Sequence, residues 1–339
     1  MPEFFIYTGI LFLLVFLEFL YFGLADRYNI IDKPNARSSH TSITLRGGGI
    51  IFPLAALLFY ICFSFQYPYF LLGLTAIATI SFLDDLHTLN NKIRIVIHLI
   101  AVGLVFYQWA FFIYPWYWIL VISVVVIGTI NAYNFMDGIN GITGSYSLIA
   151  IASLYYINQY VISFTSSDLL IVIGLALLIF NYFNFRKKAR CFAGDVGSVS
   201  IAFIIIFLIG QLILESQNLF YILLLLVYGL DAVSTILFRL IRKENIFEAH
   251  RSHFYQYLAN ERKWSHLWVS GLYFALQLIV NITLISQSPD RSEFEEGLYN
   301  LIPVIIGAGV LFILIRVVIE GKARLFNAAS ESFPSERAG

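Results

Sequence analysis

The chain has 339 residues, 59% of them hydrophobic and 12% charged, with a mean hydropathy of +0.80. That is too apolar to cover a soluble globule with polar surface, so the chain belongs in a bilayer. Its formal net charge of zero gives no basic excess to attract nucleic acid, and its two cysteines, Cys62 in an apolar run and Cys191 in a basic loop, have neither metal-ligand spacing nor a disulfide pattern.

Apolar runs long enough to cross hydrocarbon begin near Phe4, Gly49, Tyr69, Ile95, Trp116, Ile142, Leu169, Val199, Leu219, Leu267 and Leu298, about eleven in all with ten as the alternative count. They lack the two-residue alternation of a barrel, and a bilayer forces the backbone to satisfy itself internally, so the predicted fold is an all-α polytopic transmembrane bundle. Phe4 to Leu24 is long for a signal-peptide core, follows no basic residue and lacks a small-residue cleavage site; it is expected to stay as a helix. Residues 1–326 read as a single integral-membrane domain and 327–339 as a polar tail.

The third span runs into Asp84 and Asp85, a few residues before Lys92 and Arg94. Adjacent carboxylates at a membrane boundary are costly unless they meet a cation, a metal or a cavity, which favours a site over a solvated loop. Arg94 and His98 are four apart, on one face of the next helix.

In the fifth span Asn131, Asn134 and Asp137 fall three apart and share one side if the helix continues; Gly138, Gly141 and Gly144 then allow tight turns and close backbone approach to a nucleotide or phosphate. An Asx-Gly turn would explain Asp137 and Gly138 alone.

The seventh connection joins the cationic run Arg186, Lys187, Lys188 and Arg190 to Gly194-Asp195-Val196-Gly197-Ser198 at a helix start. The run is explained by topology alone. A carboxylate flanked by glycines at a helix N-terminus suits Mg²⁺ beside a diphosphate, and a plain N-cap by Asp195 or Ser198 is the competing reading.

In the ninth span Asp231, Thr235 and Arg239 form one polar stripe, expected to face the bundle interior. The long connection after it holds His250, Arg251, His253 and Gln256, groups able to donate hydrogen bonds to phosphate oxygens. The two histidines are incomplete as zinc ligands, and oxygen-rich surroundings suit Mg²⁺ better.

Counting Lys and Arg connection by connection, twenty of twenty-one fall in the odd-numbered connections plus the tail, with Arg291 the exception. The positive-inside rule therefore predicts an external N-terminus, a cytoplasmic C-terminus and a cytoplasmic working face. Transport would instead place charges near the midplane and repeat the halves, and no repeat is visible.

Taken in order, Asp32 to Gly49 (D-x-P-x-x-R-x-x-H, then R-G-G-G), Asp84 to His98, Asn131 to Ile142, Asn184 to Ser198 and His250 to Gln256 resemble the polyprenyl-phosphate N-acetylhexosamine-1-phosphate transferases of glycosyltransferase family 4. The last motif is similar to the branch that starts O-antigen and other surface polysaccharides, a branch related to the phospho-MurNAc-pentapeptide transferases. The resemblance implies transfer of HexNAc-1-phosphate (GlcNAc, QuiNAc or FucNAc) from a UDP-HexNAc to undecaprenyl phosphate, with UMP released, at the cytoplasmic face of a bacterial inner membrane. It implies Mg²⁺, with Mn²⁺ as the alternative ion, held by Asp195 with Asp137 as the further candidate. Asp84, Asp85 and Asp137 are the catalytic candidates. Lys92, Asn134, Gly138, Ile139, Asn140, Asn184, Phe192, His250, Arg251 and His253 would bind nucleotide and diphosphate, with Arg46, Arg94 and Asp231 as further polar candidates. A homodimer is left open. Asn140 stands where many members have Asp, Leu45 where Pro is usual before Arg46, and Lys187-Lys188-Ala189 replaces the usual Pro-Ala, departures that touch sugar contacts more than the metal.

Overall fold

A computed structural model describes residues 2–33, 43–87, 89–246, 250–287 and 294–327 of the chain. The middle of the first motif with Arg37 and His40, together with Glu248, Arg291 and residues 328–339 of the predicted tail, lies outside them.

Helices form at all eleven predicted segments. They are α1 (Pro2–Arg27), α2 (Ile51–Cys62), α3 (Pro68–Leu86), α4 (Asn91–Gln108), α5 (Trp116–Met136), α6 (Ile142–Tyr160), α7 (Ser167–Asn184), α8 (Gly194–Ser216), α9 (Leu226–Ile241), then a short α10 (Phe254–Asn260), α11 (His266–Gln287), α12 (Phe294–Glu320) and a short α13 (Lys322–Phe326). Among the described residues nine segments are long and apolar enough to cross a membrane, with a 3₁₀ stretch at Leu219–Leu225 extending α9. Two predicted spans fall short. The α2 segment, Gly48–Cys62, is too short, and α6 is too polar. The polarity of α6 has a cause: Thr143, Ser145, Ser147, Ser153 and Asn158 are buried in the bundle, and Ser153 and Asn158 bond to Asn281 of α11 and Ser167 of α7.

The axis of the bundle is α8, which packs against α2, α3, α5 and α6 and buries nearly every side chain from Val196 to Leu212. Successive helices run up and down, so one end gathers the starts of α4, α6, α8 and α11 and the ends of α3, α5, α7 and α9. At this end the antiparallel pair β1 (Ile31–Asp32) and β2 (Thr44–Leu45) bridges to Cys191 through Leu45. A 3₁₀ turn at Gly48–Ile50 then lies directly on α8, where a Cβ at Gly49 would run into the backbone of Gly197, and one at Gly197 into Gly49. The glycines of the first and seventh motifs are therefore each other's packing partners.

Candidate active site

Asp85, the last residue but one of α3, has a fully buried side chain that reaches α8. Its Oδ1 accepts from the Asp195 amide and its Oδ2 from the Val196 amide, both at 2.9 Å, while Arg46 Nε lies 2.6 Å from Oδ1. Asp85 is thus the N-cap of a helix that is not its own, and it takes two of the amides that α8 cannot satisfy internally. Neither sequence-based N-cap candidate caps α8: Ser198 instead donates to Asn134 Oδ1 at 2.7 Å and to the Gly194 carbonyl.

Asp84 accepts from the Leu89 amide and pairs with Arg94 Nη1, both at 2.7 Å. Arg46 and Arg94 also reach Asp195, at 3.5 and 3.4 Å. Three carboxylates are held by two guanidinium groups, and Asp195, with the longest contacts, is the least committed. Tyr21 of α1 fixes the Arg46 carbonyl at 2.6 Å. Lys92 is exposed on the first turn of α4.

The helical reading of the fifth span stops one residue early, since α5 ends at Met136 and Asp137 has left helical geometry (φ −81°, ψ 60°). Burial, with the charges of Asp195 and Asp85 adding to it, pushes the Asp137 carboxyl up to about 7 despite a hydrogen bond to Thr143. Ile139 is buried, and a side chain on Gly138 would strike the Tyr255 hydroxyl. Asn140 and Asn184 spend their amides on backbone. Asn184 accepts from the Gly141 amide at 2.7 Å and donates to the Cys191 carbonyl at 2.8 Å, and Asn140 Nδ2 donates to the Arg186 carbonyl at 2.8 Å. Both hold the two loops together. Phe192, half-buried, exchanges backbone bonds with Leu45 and Gly48 at the same junction.

A second centre forms around Asp231, whose stripe partners Thr235 and Arg239 are buried as expected. Arg239 binds the chain ahead of it, donating to the Asn245 carbonyl at 2.6 Å. Asp231 caps α10, accepting from the Phe254 and Tyr255 amides at 2.9 and 3.2 Å. His250 stacks on His253 with ring centres 5.0 Å apart, and burial, then the charges of His253 and Arg239, lower its pKa to about 3. Arg251 is partly buried beside them. The Tyr255 hydroxyl donates to the Phe135 carbonyl at 2.9 Å and so joins this centre to the end of α5. Sequence reasoning assigned Arg316 only to topology. Its buried guanidinium reaches from α12 to Ser234, Thr235, Glu320 and the Ser252 carbonyl. A lone cation inside an apolar run was the signal available.

No cluster of three or more His, Cys, Asp or Glu among the described residues is arranged as a ready-made metal cage. The donors present nevertheless suit a hard cation, because Mg²⁺ is commonly held by one or two carboxylates with substrate phosphates and water completing its shell. Asp195 and Asp137 are such a pair, and the charge of Asp195 adds to what raises the Asp137 carboxyl. An apolar cavity of about 380 Å³, lined by Trp109, Phe111, Trp118, Val126 and Ile209, lies in the opposite half of the bundle, apart from these groups.

Residues 67–213 match the family described as "Glycosyl transferase family 4". The chain is 27% identical over 219 residues to the undecaprenyl-phosphate alpha-N-acetylglucosaminyl 1-phosphate transferase of Escherichia coli (strain K12), covering 56% of this chain and 58% of that protein. The Salmonella typhimurium (strain LT2) protein of the same name is 27% identical over 217 residues, covering 56% and 57%. The phospho-N-acetylmuramoyl-pentapeptide-transferase of Thermotoga petrophila is 26% identical over 263 residues, covering 70% of this chain and 82% of that protein. The match thus spans under two thirds of the first two relatives and most of the third.

Proposed function

We propose that this chain, whose residues 67–213 match the glycosyl transferase family 4 model, transfers an N-acetylhexosamine-1-phosphate from a UDP-linked donor to undecaprenyl phosphate at the cytoplasmic face of a bacterial inner membrane. The observation that carries the reading is the junction of α3, α4 and α8, where Asp84, Asp85 and Asp195 share Arg46 and Arg94 at the end of a membrane bundle. Such a site meets a lipid head group from one side and a soluble anion from the other. The names of the relatives favour an N-acetylated sugar phosphate over other phosphoryl groups.

In this reaction an oxygen of the lipid phosphate attacks the sugar-bearing phosphorus, a new P–O–P bond forms, and the bond from that phosphorus to the bridging oxygen breaks, releasing UMP. Positioning and charge neutralisation dominate such transfers. A phosphate monoester has its second pKa near ~6 and is mostly dianionic at neutral pH, so little is asked of a general base. Asp85 is excluded from that task by its three committed contacts. Asp84, paired with Arg94, would with it orient the incoming phosphate. Arg46 and Lys92 add positive charge for the diphosphate, and the loops locked together by Asn140 and Asn184 would wall the uridine pocket, with Phe192 stacking on the base.

Asp195 and Asp137 would hold Mg²⁺, or Mn²⁺ in its place. When bound, the cation would neutralise the diphosphate and stabilise the departing UMP. Which sugar is carried (GlcNAc, QuiNAc or FucNAc) and whether the protein pairs into a homodimer are settled by experiment.

Purified membranes supplied with undecaprenyl phosphate, Mg²⁺ and radiolabelled UDP-HexNAc donors are expected to yield an acid-labile lipid product from one donor. Asp195→Asn at matched expression should abolish it. Competent lipid and folded protein giving no product with any donor would sink the proposal.

A further inference from the structure

We propose that the connection after α7 is a docking site for an anionic glycerophospholipid, whose head-group phosphate is gripped by Arg186 and Arg190 while its acyl chains lie along α1 and α7. Such a site lies on the lipid-facing wall of the bundle and stands whichever reaction the chain performs.

The connection is tied down from inside. The Arg186 amide donates to the Asn184 carbonyl at 2.8 Å and the Arg190 amide to the Phe183 carbonyl at 2.9 Å. The side chains of Asn140 and Asn184 hold the Arg186 and Cys191 carbonyls, both at 2.8 Å. The backbone is thus spent inward, and Lys187, Lys188 and Arg190 are left exposed, with Arg186 partly so. No carboxylate among the described residues, Asp26 of α1 included, forms an ion pair with any of the four.

A charge run that only sets topology can extend its head groups into water. The two arginines do otherwise. Arg190 lays its guanidinium over Phe22, Phe19 and Phe183, at 4.9, 5.5 and 5.8 Å from the ring centres. Arg186 lies over Tyr182 and Phe183, at 4.3 and 5.7 Å. These rings belong to the apolar segments Phe4–Arg27 and Ser167–Asn184, so both cations are drawn back toward the hydrocarbon edge and gather around one ring, Phe183. An unpaired cation at that depth is costly unless an anion meets it. Stacking covers the flat faces of a guanidinium and leaves its N–H edge open, which is the edge that grips a phosphate with two parallel hydrogen bonds. Phe19 and Tyr182 are 48% and 66% exposed, so an apolar wall flanks the cations. A soluble anion would use the cations alone, whereas a glycerophospholipid uses both. A zwitterionic head group would bring an ammonium into the same field, so the lipid that fits carries net negative charge.

The test titrates the full-length protein, in a neutral detergent, with phosphatidylglycerol and with phosphatidylcholine of the same acyl chains, and reads retained lipid by native mass spectrometry. Phosphatidylglycerol should bind about tenfold or more tighter. Arg186→Gln with Arg190→Gln should bring that preference to within about threefold of unity. Lys263→Gln with Lys322→Gln, which removes equal charge from two exposed positions at the same end, should keep it. Equal retention of the two lipids by the wild type, or an equal loss in the lysine pair, overturns the proposal. The wild type also decides without any variant. Displacement of phosphatidylglycerol by millimolar inorganic phosphate or UDP would give the connection to soluble anions, and displacement by undecaprenyl phosphate at lower concentration than by phosphatidylglycerol itself would make it an entry for the acceptor. Either result overturns the assignment, and resistance to all three supports it.

Discussion

Asp85 has both carboxylate oxygens engaged on the first amides of α8, whereas its neighbour Asp84 faces Arg94 at the rim. Removing a buried, paired carboxylate leaves an arginine and two amides unmet, so Asp85→Ala should destabilise the detergent-solubilised protein by about 3–5 kcal/mol, read as a lowered unfolding midpoint. Asp84→Ala, which leaves one amide and Arg94 unmet, should lower the midpoint by less than Asp85→Ala and lower the transfer rate. Asp137 supplies a pH dependence. Its carboxyl is raised to about 7, chiefly by burial, so at lower pH it is protonated and must release that proton before a cation binds. Mg²⁺ affinity should therefore weaken as pH falls below 7, approaching ~tenfold per unit, and reach a plateau above it. Titration calorimetry in buffers of different ionisation enthalpy would reveal the released proton, and a flat affinity between pH 6 and pH 8 would contradict the assignment. The chemical character of these residues was legible in the sequence: paired Asp at a span end, Gly-flanked Asp at a helix start. Their partners were not. That Asp85 caps a helix 110 positions away, or that Asn184 fastens one loop to another, depends on which spans become neighbours, and no local pattern encodes that.

Among the helices, the segment Leu219–Ile241 shows how a break inside a bilayer is made tolerable. Its first part is 3₁₀, α9 starts at Leu226 after a residue with φ −120° and ψ 17°, and Gln277 of α11 spans the join. Gln277 accepts from the Val227 amide at 3.0 Å and donates to the Leu223 carbonyl at 2.9 Å, supplying side-chain partners where the regular ladder fails. Gln277→Leu, similar in bulk but with no polar atoms, should cost about 1–3 kcal/mol for the groups left unmet, and Gln277→Glu, which keeps only the acceptor, should lie between. The hydropathy pattern located this span without showing the break, because a 3₁₀ stretch and an α-helix of leucines look alike in composition. α6 shows the converse: its buried serines and asparagine are packing surface inside the bundle, so its mean hydropathy understates a 19-residue helix that sits among the spans.

For the whole molecule, the alternation of basic and neutral connections anticipated that every polar motif would gather at one end, and the bundle does bring Arg46, Asp84, Asp137, Asp195 and His253 to that end. Which side of the membrane that end faces is open to direct measurement. Lys187→Cys, on an exposed loop, should react with a membrane-impermeant thiol reagent only after cells are permeabilised, and an N-terminal tag should be reached without permeabilisation. The opposite labelling would invert the topology. The caps of α8 and α10 also bear on biogenesis. Each is supplied by a carboxylate from an earlier span, so the cap of α8 is at hand when that helix is made, whereas the second centre is braced by Arg316 on α12 and stays incomplete until α12 follows. A nascent chain still waiting for α12 lacks the brace beneath His253.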